Sequence, residues 1–263
     1  MDHAPGLLSL FSLQLGIGSQ LLLTVLPLGG LGGGFLRFMS LLDGIAIALG
    51  WWLLPARWGS PMGYAVFAAL ILVAIDAMAA GQQPYRESKL TRLPQLGCGL
   101  GALGLGAELV ANAHGLGPMP TAAVLLAHLA GAFLLGSVLL DLILGHWYLV
   151  VPGLSIRPFM LLSRLLLGAL VARAGVVSAA LALYGGGFSG FDTLEFWVGR
   201  GIFWVMAAGC GLAVPLALSG FLLRTVELRS TQAATGIVYI IVFFVLMGEL
   251  AFRYLAASTG LPL

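Results

Sequence analysis

The stretch TAAVLLAHLAGAFLLGSVLLDLILGHWYL, residues 121–149, carries one charged side chain, Asp141, and two histidines, His128 and His146, in an otherwise apolar run. About 20 apolar residues are enough for a helix to cross the hydrocarbon core of a bilayer, roughly 30 Å. No water is present in that core to bond a bare N–H or C=O, so such a run must be helical. Further runs of the same kind lie on both sides of it. Read outward, the chain predicts eight membrane-spanning helices over 6–28, 34–54, 60–80, 95–115, 121–149, 158–182, 194–224 and 232–257. The expected fold class is all-α, a polytopic integral membrane protein forming a single transmembrane domain over 1–263.

Composition points the same way. Of the 263 residues, 60% are hydrophobic and 8% charged, against roughly 25% charged in a soluble domain. Little chain remains between the spans, so no soluble catalytic domain is expected. The start, Met1-Asp2-His3-Ala4-Pro5, lacks a basic region, and the first span is therefore expected to be retained rather than cleaved. Cys98 and Cys210 both fall in apolar spans. Buried inert thiols are expected there, rather than a disulfide or a cysteine metal site.

Basic residues suggest the orientation. The break after the third span holds Arg86, Lys89 and Arg92, the one after the fifth Arg157, and the one after the seventh Arg224 and Arg229. Eight alternating helices put these three breaks on one side. The other side holds mainly Arg57, with Asp192 and Glu195. Basic loops stay in the cytoplasm, so both termini are expected outside.

Glycine-rich breaks at 29–34 and 185–187 suit tight helix connections, and Pro215 is expected to kink the seventh span. Gly97, Gly101 and Gly104 form a small-residue stripe through which another backbone could approach, with Glu108 continuing it toward the bundle interior. A faint repeat is also present. Leu23–Pro27 followed by Arg37–Leu42 echoes Leu149–Pro152 followed by Arg157–Leu162, and Gly106–Leu109 echoes Gly248–Leu250. It suggests two four-helix halves, 1–117 and 118–263, with chance similarity as the alternative.

Ionisable groups inside a membrane are costly and need a partner or a wet cavity. Their depth, at 1.5 Å per residue, sorts them into two layers. Glu108, His128, Arg173, Arg200, Glu249 and Arg253 fall near the outer side; Arg37, Asp43, Asp76, Asp141, His146 and Arg164 fall toward the cytoplasm. One account is mutual ion pairing that pins helices together. The other is a site that handles protons or a polar headgroup. Glu249 and Arg253 stand at i, i+4 and can pair on one face. Arg173 lies too deep to reach water easily, so it should meet Glu108, Glu249 or a bound anionic or carbonyl group. Arg200 sits between Trp197 and Trp204, where a flat ring could be held or where the tryptophans simply anchor the interface.

His128 and His146 share one helix face about 27 Å apart, five turns. A bis-histidine haem b would need a ligand from a second helix, and only His114 lies at a height to partner His128. Haem is therefore possible and not favoured. Gly145-His146-Trp147-Tyr148 followed by Pro152 reads as an interface anchor, or as a quinone or proton-entry site with Asp141 as relay. Gly99-Leu100-Gly101-Ala102-Leu103-Gly104 matches the dinucleotide fingerprint G-x-G-x-x-G in letters alone, since no strand precedes it and a membrane span contains it. Close helix packing accounts for it better.

Phe11-Ser12-Leu13-Gln14-Leu15-Gly16 and Met247-Gly248-Glu249-Leu250-Ala251-Phe252-Arg253 resemble segments of the first and last helices of the quinone-reactive membrane anchors of respiratory molybdoenzymes, of the DMSO reductase and polysulfide reductase type. The resemblance covers under a tenth of the chain, and the early histidine of that family is missing between the second and third spans. It implies an anchor that binds quinone and meets an iron–sulfur partner on the outer face. The expected function is thus a subunit of a bacterial electron-transfer complex in the inner membrane, with quinone or quinol as cofactor. Glu108 and His128 are expected to contact headgroup or proton, with Arg173 and Arg200 as stabilisers. Expected partners are membrane lipids and iron–sulfur or cytochrome subunits, without nucleic acid. The alternatives are a small-solute or proton-coupled transporter, or a structural subunit whose polar pairs only hold helices together.

Overall fold

The protein is described by a computed structural model over residues 4–25, 31–54, 58–79, 97, 99–107, 118–151, 153–184 and 194–263. Among these residues there are helices and no strands. Helix α1 is Ala4–Val25, α2 Gly32–Leu53 and α3 Pro61–Ala79. Helix α4 is described over residues 99–107. Helix α5 is Pro118–Val150 and α6 is Arg157–Tyr184. Helix α7 runs through Leu194–Trp204, a π-helical stretch Val205–Ala213, and Val214–Glu227; α8 is Thr231–Thr259. Seven helices among the described residues are long and apolar enough to cross a membrane. The chain is a multi-pass, all-α membrane protein, and apart from α4, whose ends lie outside the described residues, the helix ends lie within a few residues of the sequence-based spans.

Helix α1 packs against α2 and α5, α2 against α3, and α5 against α6 and α8; α8 also packs on α7. The two groups α1–α4 and α5–α8 therefore meet mainly along α1 and α5. In the first group Leu13, Ile17, Ile47, Met62 and Val66 pack with Ala102 and Leu103. In the second, Leu134, Leu140, Phe159, Leu166, Val238 and Val245 form the core. Ile45, Met78, Leu183 and Val198 are exposed on the outside, where acyl chains rather than water would meet them.

Lipid is as apolar as these cores, so helix association rests on close packing and polar contacts instead of the hydrophobic effect. Small residues make the closest approaches. A Cβ added at Gly18 would collide with the Ala132 carbonyl, and one at Gly136 with the Gly18–Ser19 backbone. Helices α7 and α8 meet in the same manner at Gly211 and Gly248. Gly211 lies inside the π-helical stretch, just ahead of Pro215. Proline offers no N–H and its ring crowds the carbonyl four residues back, here that of Gly211. The wider π register precedes the proline at the place where a kink was expected.

The small-residue stripe on α4 is corrected by the packing. Among the described residues a Cβ at Gly97, Gly101 or Gly104 would meet nothing within 4 Å, whereas one at Gly99 meets Ile17 and one at Gly106 meets Leu10 and Met62. The packed face of α4 is Gly99, Ala102, Leu103 and Gly106, about half a turn from the expected stripe. Glu108 lies outside the described residues.

Candidate functional site

Helix α1 begins, and α8 ends, at one face of the bundle, because Phe11 and Gln14 of α1 neighbour Arg253 and Glu249 of α8. This is termed the terminal face below. Arg173 stands 16 residues into α6, about 24 Å from the opposite face at 1.5 Å per residue. Glu249 reaches the same level from α8, and Ala127, His128 and Gly131 reach it from α5.

These residues form one buried cluster. Arg173 Nε donates to Glu249 Oε1 at 2.7 Å and its Nη2 to Oε2 at 3.1 Å, a bidentate pair, while Nη1 donates to the Ala127 carbonyl at 3.2 Å. Arg253 Nη1 donates to the Glu249 backbone carbonyl at 2.6 Å and to Oε2 at 3.2 Å. Arg173 and Glu249 are each 2% exposed. Depth explains why the pairing is direct: a guanidinium here cannot extend to water, so a carboxylate and a carbonyl replace hydration. The Arg173 guanidinium lies over the Phe252 ring and that of Arg253 over Phe11, each 5.0 Å from the centroid. Two arginines and one glutamate leave the trio one positive charge in excess.

Two polar atoms in this cluster remain unsatisfied. Gln14 Oε1, an acceptor, and Arg253 Nε, a donor, have no hydrogen-bond partner among the described residues. Gly131 marks where Gln14, Glu249 and Arg253 converge. A Cβ there would lie 3.1 Å from Glu249 Oε2, 3.4 Å from Gln14 Oε1 and 3.8 Å from Arg253 Nη2. The missing side chain leaves acceptor, carboxylate and guanidinium facing one point. A group able both to accept and to donate a hydrogen bond would satisfy it.

His128 sits one turn before this point on α5. Its Nδ1 lies 2.9 Å from the Val124 carbonyl. A carbonyl only accepts, so Nδ1 carries the hydrogen, and a neutral ring then presents Nε2 as an acceptor. The described histidines, His128 and His146, share α5, so no two helices supply a haem-ligating pair among the described residues; His114 lies outside them. Nor do three metal-ligating side chains come together there.

Toward the opposite face the expected mixed layer is not formed. The acids are buried and the bases are not. Asp43 Oδ2 accepts from Ser19 Oγ at 3.1 Å and Gln20 Nε2 at 2.9 Å. Asp76 accepts from Ser40 Oγ at 2.5 Å, and both Asp141 oxygens lie 3.2 Å from Ser163 Oγ. Arg37, Arg164 and His146 are exposed. Side-chain length explains the split: arginine reaches the interface from a lipid-facing position, and a short aspartate must find its donors inside. His146 and Asp141 are five residues apart, about 140° around the helix, so the relay drawn between them is not built. Ser163→Ala removes the hydroxyl facing Asp141 and should destabilise the protein by about 1–3 kcal/mol in detergent melting experiments.

Of the sequence-based candidates, the fold therefore gathers Arg173, Glu249 and Arg253, with His128 nearby. Asp43 and Asp141 stand apart on separate Ser–Asp bridges, one joining α1 to α2 and the other α5 to α6. Arg200 is half-buried on α7. Gln14 and Gly131 were not singled out by sequence. The available signal was a glutamine in mid-span, since an amide at that depth needs partners. Comparison of the chain with protein-family models, with curated proteins and with solved structures finds no match in any of the three.

Proposed function

We propose that the protein is the membrane subunit of an electron-transfer complex, and that its terminal-face cluster receives the headgroup of a quinone or quinol. The observation that carries this reading is the pair of unsatisfied atoms, Gln14 Oε1 and Arg253 Nε, on two side chains that meet Glu249 at Gly131. A quinone carbonyl accepts from Arg253 Nε–H, and a quinol hydroxyl donates to Gln14 Oε1. His128 Nε2 is the acceptor for a released proton. Arg173 holds Glu249 in place, and the excess positive charge of the trio would favour an electron-rich headgroup oxygen there. Electrons pass to iron–sulfur or cytochrome subunits, in keeping with the resemblance of the Gln14 and Glu249 segments to respiratory anchors. On that plan the terminal face is periplasmic and the membrane is the bacterial inner membrane.

Titration of the purified complex with a hydroxyquinoline N-oxide quinone analogue tests the reading. Saturable binding is expected. Arg253→Lys keeps the charge and removes the Nε–H, and Gln14→Leu removes the acceptor. The first should weaken binding about tenfold or more, the worth of a hydrogen bond from a charged group, and the second by about tenfold or less, the worth of a neutral one. An absence of saturable binding to the wild type would overturn it.

A second reading has its own observation. Arg173 has a donor on every guanidinium nitrogen engaged, by Glu249 or by the Ala127 carbonyl, as helix cement requires. If the exchange Arg173→Glu with Glu249→Arg restores stability and the complex binds no quinone analogue, the cluster is structural.

A further inference from the structure

The face opposite the chain ends holds a polar recess that the cluster does not use. It lies between the α5–α6 loop and the α7–α8 turn, has a volume of about 360 Å³, and is bordered by Tyr148, Ser155, Arg157, Arg229 and Thr231. Small-molecule pockets occupy roughly 300–1,000 Å³. Two guanidinium-bearing residues line it, and among the described residues no acidic one does. Its sign selects an anion.

Local structure holds this recess open. The Tyr148 hydroxyl donates to the Ser155 carbonyl across the loop. The Tyr148 ring stacks on Phe159 with centroids 5.4 Å apart and planes 18° from parallel. Gly153, at φ 80°, turns the loop. Helices α6 and α8 start at the recess, with Arg157 and Thr231, so the positive ends of their dipoles lie beside it.

Arg229 occupies an unusual place. Its N–H donates to the Val226 carbonyl at 2.9 Å and the Ser230 N–H to the Thr225 carbonyl at 3.1 Å, closing α7 in a Schellman turn. That turn needs a left-handed residue, normally glycine, and Arg229 adopts it at φ 56°. Among the described residues no other non-glycine has positive φ. The turn by itself favours glycine. A guanidinium at the recess is what glycine cannot supply.

We propose that this recess binds a phosphate group, clamped by Arg157 and Arg229. Guanidinium forks match the oxygens of phosphate, and two of them drawn from chain segments 72 residues apart suit a multiply bonded anion. The recess also lies where α5 leaves the membrane beside Trp147 and Tyr148, the depth at which aromatic belts meet headgroups. Phospholipid phosphate and a soluble phosphate share this chemistry.

The test is thermal melting of the purified full-length protein in detergent. It is titrated with phosphatidylglycerol in one arm, and with inorganic phosphate or glycerol phosphate at fixed ionic strength in the other. A saturable rise in Tm is expected. Arg229→Gly and Arg157→Gln should each weaken the apparent affinity about tenfold or more. Arg229→Gly should leave the ligand-free Tm unlowered, because glycine suits that backbone. Arg164→Gln removes the same charge from an exposed site outside the recess and should keep the full response. A rise with phosphatidylglycerol alone assigns a lipid headgroup; a rise with the soluble anions as well assigns a phosphate-bearing solute. No saturable rise in either arm, or an equal loss in Arg164→Gln, overturns the proposal. The result is independent of quinone binding.

Discussion

Glu249→Gln should destabilise the protein by about 3–5 kcal/mol, the typical cost of removing one partner from a buried ion pair. The substitution keeps the shape of the side chain and deletes the carboxylate charge between Arg173 and Arg253. Arg173, at 2% exposure, has no route to water. Its Nε and Nη2 would then face a neutral amide, and the two guanidinium groups would repel each other. A melting or denaturant titration in detergent should show a large drop for this variant. Adding Arg173→Gln to it should recover part of the loss, since a buried pair replaced on both sides costs less than a pair broken on one. A neutral Glu249→Gln would mean that the cluster is not sheltered within the bundle, and the site described for it would lose its physical basis.

Gly136→Val should cost about 3 kcal/mol or more, at or above the upper end of overpacking penalties. In an ordinary core a neighbouring side chain can turn aside. Here the atoms in the way are the backbone of Gly18 and Ser19, so the only relief is for α1 and α5 to separate. That seam is where the two helix groups meet, so the expected outcome is loss of the folded protein at its normal melting temperature, read by gel filtration and thermal melting. Gly101→Ala is the matched control. A Cβ there meets nothing within 4 Å among the described residues, and alanine favours a helix by up to about 1 kcal/mol over glycine. It should be neutral or slightly stabilising. Equal damage from both variants would show that the α1–α5 contact is not the seam.

Depth was legible in the chain and direction was not. Position times helical rise placed Arg173, Glu249, Arg253 and His128 at one level, and the i, i+4 spacing alone paired Glu249 with Arg253. The choice between Glu108 and Glu249 as the partner of Arg173 needed the fold. So did the separation of the opposite layer into buried Asp43 and Asp141 and exposed Arg37, Arg164 and His146. The angle at which a side chain leaves its helix decides these outcomes, and only the neighbouring helices give that angle a meaning. The α4 stripe is the plainest case. Gly97, Gly101 and Gly104 are spaced for close packing, yet Gly99 and Gly106 touch the neighbours.

From the sequence alone came the solvent, the class of fold, the spans and the level of each charge, because a bilayer imposes helices and penalises ions wherever a chain enters it. Tertiary structure alone decided which charges meet, why Gly131 lacks a side chain, and how Arg157 and Arg229 border one recess. Those contacts join segments far apart in the chain, and the rotation of one helix against another is set by packing, which no local pattern encodes.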